Sequence, residues 1–140
     1  MKILKKEDLL KKEDLKIEKV ELDKVEFVFV RQMTGREKDC FERSLMKEVK
    51  GADGIVSYER SLDDFRAKLA VNTLCDEAGV SLLEIEDAPI LSQNMSAARL
   101  ELIVNKALAL NKISEQDKEN MVKNSDAVLS EDSISVSVKS

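Results

Sequence analysis

The chain has no histidine and no tryptophan, and only one proline, one tyrosine, four glycines and two cysteines in 140 residues. Each shortage removes a class of chemistry. Without histidine there is no side chain that ordinarily titrates near neutrality, no Ser-His or Cys-His nucleophile pair, and no His-containing metal site. Cys40 and Cys75 are far apart and form no CxxC pair, which excludes a zinc ribbon or a thioredoxin-type motif. Both lie among apolar, helix-forming neighbours, so they read as reduced, buried thiols in a reducing compartment. Four glycines leave none to spare for a phosphate-cradling loop. No apolar run approaches the ~20 residues of a membrane span, and no leader pattern follows Met1. With 28 acidic and 23 basic residues, a net charge of -5 and no dense basic block, an electrostatic nucleic-acid binder is not expected. The expectation is a cytoplasmic, non-enzymatic protein with no cofactor, no metal, no nucleic acid and no membrane partner. Glu59, Asp63 and Asp64 come nearest to a divalent-metal cluster, but carboxylates are common at a helix start, where they complement the dipole.

What is present is periodic. Lys, Glu and Leu over residues 6–13 predict a short surface helix with Leu9 and Leu10 on one side. Ile17, Val20 and Leu22, then Val25, Phe27 and Phe29, predict two β-strands joined tightly at Asp23-Lys24. The second strand is apolar on both faces from Phe27 to Val30, which suits a central or covered strand. Thr34-Gly35-Arg36-Glu37 is a capping box, with Met33 against Cys40 or Phe41 as a hydrophobic staple. The helix it opens is expected to reach about Glu48, with Phe41, Leu45 and Val49 on one face, and to stop at Gly51–Gly54. Ser61 with Asp63 and Asp64 announces a second helix carrying Leu62, Phe65, Leu69 and Thr73, ended by Asp76–Gly79. The stretch Val80–Ile85 has no assignable period, and Pro89 breaks any helix reaching it from upstream. A very apolar helix covers about Ser96 to Asn111, with the stripe Leu100, Ile103, Val104, Ala107 and Leu108 widened by Leu102, Ala109 and Leu110. Ser114, Glu115 and Asp117 cap a last helix to about Asn124. The Ser-rich tail, residues 126–140, then alternates Ser with Ile and Val, as either a disordered terminus or one added edge strand.

One stretch is more specific than periodicity. Val28-Phe29-Val30-Arg31-Gln32-Met33-Thr34-Gly35-Arg36-Glu37-Lys38-Asp39-Cys40-Phe41-Glu42-Arg43-Ser44-Leu45 resembles a "V-Y-V-R-x-[ML]-T-G-x-E-R-D-x-F-E-x-S-L" run of a tailed-phage family, in which it joins a last strand to a first long helix. In the same order, Lys5–Leu15 resembles an opening Lys-Glu-Asp-rich helix, and Val20-Glu21-Leu22 a Val-Glu-Val strand. Arg66-Ala67-Lys68-Leu69 through Cys75-Asp76-Glu77-Ala78-Gly79 resembles an "R-A-x-L…C-D-E-x-G" block. Ser96-Ala97-Ala98 and Asn111-Lys112-Ile113-Ser114 resemble a helix followed by an "N-G-L-S" turn. Over residues 4–125 the chain is thus similar to the tail assembly chaperones of long-tailed phages and prophages. It departs from them at Phe29, where the family has Tyr, in the short Asp23-Lys24 connection, and at Pro89-Ile90-Leu91. The tail after Ser130 has no counterpart.

The resemblance implies a non-enzymatic protein that coats the phage tape-measure protein and keeps it soluble while the tail tube polymerises. It also implies self-association, absence from the mature virion, and a frameshifted long form that reaches the tail tube protein. The fold expected is α+β, mainly helical: one domain over residues 1–125, in which an N-terminal β-hairpin packs on about four α-helices. The client surface is expected among exposed apolar groups, with Phe27, Phe29, Leu102 and Leu110 as candidates and Met33, Met46, Met95 and Met121 as adaptable additions. Alternative readings are a minor structural or tail-completion protein of the virion, or a small phage regulator that binds a host protein.

Overall fold

The structure, a computed structural model, describes residues 1–113 and Asp117. The expected last helix, apart from Asp117, and the alternating tail lie outside the described residues. Those described form an α+β fold, mainly helical, with five α-helices and five strands in two small antiparallel sheets.

The first sheet explains why Phe27–Val30 is apolar on both sides. Strand β1 (Ile17–Glu21) pairs antiparallel with β2 (Phe27–Arg31), from Ile17 opposite Arg31 to Glu21 opposite Phe27. On its other side β2 pairs with β5 (Leu74–Cys75), so it is central. The β1–β2 connection is longer than Asp23-Lys24. Leu22 N–H donates to Glu26 O at 2.9 Å, and Asp23 Oδ1 accepts from the N–H groups of Val25 and Glu26 at 2.8 and 2.7 Å. Val25 therefore belongs to the turn and is exposed.

Strand alternation divides the sheet into two faces. Val20, Val28, Val30 and Leu74 point to the core and meet the stripe of helix α5 (Ala97–Leu110): Leu100, Ile103, Val104, Ala107 and Leu108. Ser96 caps α5, its Oγ accepting from Arg99 N–H at 3.2 Å. At the other end Asn111 Oδ1 accepts from Met33 N–H at 2.7 Å, and Gln32 Nε2 donates to Leu110 O at 3.3 Å. These bonds fasten the end of α5 to the end of β2.

The capping box forms: Glu37 N–H donates to Thr34 Oγ1 at 3.2 Å and Thr34 N–H to Glu37 Oε1 at 2.9 Å. Helix α2 (Gly35–Ser44) is shorter than expected, however. Phe41 and Leu45 are fully buried, the Phe41 ring 5.8 Å from that of Phe65, but Met46–Lys50 leave the helix as strand β3. Strand β3 pairs with β4 (Val56–Arg60), and Gly51–Gly54 is their turn rather than a helix stop, with Gly54 at φ 82°. Met, Lys and Glu favour helix in isolation, and pairing with the β-forming Val56-Ser57-Tyr58 overrides that preference. Cys40 is exposed, because α2 turns only Phe41 fully inward; Cys75 is buried as expected.

Helix α3 (Phe65–Thr73) starts after Asp64, which takes a left-handed conformation at φ 58°, so Asp63 and Asp64 precede the first turn instead of occupying it. The turn Asp76–Val80 is tied by Asp76 Oδ1 to the N–H groups of Ala78 and Val80. Ser81 bridges back to Cys75, and a 3-10 turn (Ile85–Asp87) leads into helix α4 (Ala88–Asn94), with Pro89 in its first turn. Near the N-terminus, helix α1 (Lys6–Leu10) is exposed and shorter than residues 6–13. Among the described residues no helix is long and apolar enough to cross a membrane.

Candidate partner-binding surface

The face of the first sheet turned away from α5 carries Ile17, Lys19, Phe27, Phe29, Arg31 and Cys75, the alternate positions of its three strands. Phe27 and Phe29 meet edge to face, centroids 5.5 Å apart at 88°, and Lys19 Nζ sits 4.5 Å above the Phe27 ring. Phe27 is 49% exposed and Phe29 half-buried. Gly79, at φ 87°, lies against Ile17 at one margin of this face.

An ionic lock holds its base. The Arg31 side chain, 6% exposed, gives both terminal NH groups to Glu37, at 2.8 Å each, and one also to Gln32 O at 2.9 Å. Arg31 hydrogen bonding, helped by Thr34 N–H and opposed by burial, pulls the Glu37 carboxyl from 4.5 down to about 2. Glu37 in turn raises the guanidinium above its ordinary value. Burial pushes the Cys75 thiol up, with Arg31 opposing. The lock joins β2 to the start of α2 and fixes the sheet end next to the aromatic pair.

The outer edge of β1 is open. Gln32 N–H donates to Lys16 O and Leu22 N–H to Glu26 O, so the even-numbered residues of β1 pair with β2. The N–H and C=O groups of Ile17, Lys19 and Glu21 then face outward. Beyond that edge α5 presents Leu102, Asn105, Lys106 and Ala109, and a shallow groove of about 530 Å³ runs between them. Lys106, on the groove wall, reaches Glu18 Oε1 with its Nζ at 2.9 Å, and this contact lowers the Glu18 carboxyl.

Of the four candidate residues, Phe27 and Phe29 are brought together. Leu102, 42% exposed, stands around the β1 edge from them on the groove wall. Leu110 is only 7% exposed and is packed in the core, so it does not contribute. Of the methionines, Met33 is in the core, Met46 is exposed, Met95 packs against the core, and Met121 lies outside the described residues. Sequence reasoning missed the exposed apolar groups Ile55, Val56 and Tyr58 on the second hairpin; the period-2 run Val56-Ser57-Tyr58-Glu59 was the available signal. Glu59 faces Lys47 across that hairpin and Asp63 lies 4.0 Å from Lys47 Nζ. Among the described residues no three His, Cys, Asp or Glu side chains are grouped to hold a metal ion.

Comparison of the chain with protein-family models, with curated proteins and with solved structures finds no match.

Proposed function

We propose that the chain is a non-enzymatic tail assembly chaperone of a long-tailed phage or prophage. It acts in the host cytoplasm, binds the tape-measure protein, keeps it soluble while the tube polymerises, and is left out of the finished virion. The observation that carries this reading is the Phe27–Phe29 pair beside an open strand edge and the Leu102 groove. A long apolar client needs a partner with accessible aromatic and aliphatic surface on a charged, soluble body, and contacts repeated over several copies. The run Val28–Leu45 spans the β2–α2 junction, a strand-to-helix connection like that of the family's run, although three further strands follow β2 where the resemblance implies a last strand. Lys19 over Phe27 and the Lys106–Glu18 pair ring the apolar patch with charge, which suits a surface that must stay soluble before it meets its client.

The test is co-expression with the tape-measure protein encoded beside it, followed by pull-down and size exclusion with light scattering. The expected result is a soluble complex where the client alone is insoluble, lost when Phe27, Phe29 and Leu102 are replaced together by alanine. A client that stays insoluble beside the folded chain overturns the proposal. Recovery of the chain from purified phage particles would instead make it a structural component.

A further inference from the structure

The second hairpin is a two-stranded sheet on its own with no fully buried residue, the face of Glu48, Lys50, Val56 and Tyr58 being exposed and that of Val49 and Glu59 half-buried. Such a ribbon is marginal in water without a third strand or a packed face. Its ladder shows which backbone groups are unused. Gly51 N–H donates to Ile55 O and Ser61 N–H to Leu45 O, so the odd-numbered residues of β3 and β4 bond to each other. The N–H and C=O groups of Val56 and Tyr58 therefore point away from β3, along the free edge of β4. The opposite edge, along β3, is lined by Lys47, Glu48 and Lys50, the kind of charge that blunts edge pairing. From Ile55 to Tyr58 the β4 edge has no charge, and Ile55 and Tyr58 are each 65% exposed.

The geometry points to a second copy of this chain as the occupant of the β4 edge, the two β4 strands pairing antiparallel about a two-fold axis at Ser57. In that register Val56 lies opposite Tyr58 of the second copy and the reverse, and the outward groups exchange four N–H···O bonds. The same register puts Val56 and Tyr58 side by side on one face, with Lys50 and Glu48 beside them on β3, in aromatic-to-branched pairs that stabilise antiparallel strands. Glu59 falls opposite Ile55 of the second copy, so no like charges meet. The contact is self-complementary, as a two-fold interface must be. Edge-to-edge pairing of one short strand buries less than the ~1,200 Å² of a standard interface, so the dimer forms and dissociates with concentration. This inference deepens the self-association within the proposed function and rests on that reading for the use of more than one copy.

The test is sedimentation velocity of the full chain over about a hundredfold range of concentration. A monomer–dimer equilibrium is expected, weakened at least ~10-fold by Tyr58→Lys and unchanged by Lys47→Ala, which lies on strand β3 with its side chain on the opposite face from Tyr58. Circular dichroism checks that Tyr58→Lys still folds. Independently, Ser57→Cys in a Cys40→Ser background places two thiols across the axis, where facing Cα atoms are about 4.5 Å apart. Added oxidised glutathione should take up their two electrons and two protons and leave a disulfide-linked dimer. A monomer throughout the range, association indifferent to Tyr58→Lys, or no cross-link at position 57 overturns the inference. If the chain holds its client as a monomer, only this inference fails. If it pairs through β4 but holds no client, only the proposed function fails.

Discussion

Replacing Glu37 by glutamine tests the ionic lock. The substitution leaves the Arg31 guanidinium buried with one neutral acceptor in place of a carboxylate, and Arg31 Nε already lacks a partner. Breaking a buried pair from one side costs about 3–5 kcal/mol. The Glu37 side chain is one-third exposed, so solvent screening lowers that to about 2–3 kcal/mol. The titration gives a second route. A carboxyl pulled from 4.5 to about 2 is worth ~3 kcal/mol at ~1.4 kcal/mol per tenfold change in proton affinity, and about 2 kcal/mol after the same screening. For a chain of this size the thermal midpoint should fall by about 6–12 °C. The folded-state pKa is depressed, so the contribution is complete above the unfolded value of about 4.5 and disappears as pH falls through about 2. The assay is urea unfolding followed by circular dichroism at about pH 7, 4 and 2, comparing the native chain with Glu37→Gln; the difference cancels the other carboxylates. The gap should be constant above about pH 5 and close towards pH 2. A gap below ~0.5 kcal/mol at neutral pH, or one that persists at about pH 2, refutes the reasoning.

Phe27→Ala should cost under ~1 kcal/mol because the ring is half exposed, while Ile103→Ala, fully buried against the sheet, should cost about 2–5 kcal/mol in the same unfolding assay. Gly79→Ala should destabilise by about 1–2 kcal/mol, since alanine resists φ 87° and its Cβ would meet Ile17 Cδ1 at 3.1 Å; a neutral result would mean that the 76–80 turn adjusts freely. A thiol reagent should titrate one cysteine per native chain, Cys40, and both only in denaturant. Two fast thiols in the native protein would contradict the burial of Cys75 in strand β5.

Helix α5 was legible because three signals agreed: the Ser96 cap, a stripe at helical spacing, and no interrupting Gly or Pro. The central position of β2 was legible in the same way, from apolar residues on both faces. Its neighbour β5 was not. Leu74-Cys75 continues the period of α3, and what makes it a strand is a partner more than forty positions upstream, Phe29-Val30. Strand β3 was hidden by composition, since Met46-Lys47-Glu48 has helical preference and only its pairing with β4 reverses it. At the surface, alternation placed Phe27 and Phe29 together correctly, whereas Leu110 looked like Leu102 in a uniformly apolar helix. The difference lies in what sits outside each: Leu102 looks across an open strand edge, while Leu110 is packed in the core and its carbonyl is held by Gln32.

The bonds from Gln32 and Met33 to Leu110 and Asn111 span 78 positions each. They also set an order of events during synthesis. The hairpin β1–β2 emerges early, but Val20, Val28 and Val30 have no cover until α5 has been made, and the closing bonds wait for Asn111. Long-range closure of this kind delays consolidation of the core to nearly the end of translation of the described region. A nascent chain halted before Ser96 would carry a sticky, uncovered sheet, so a ribosome pausing there would create a substrate for the cell's own quality control.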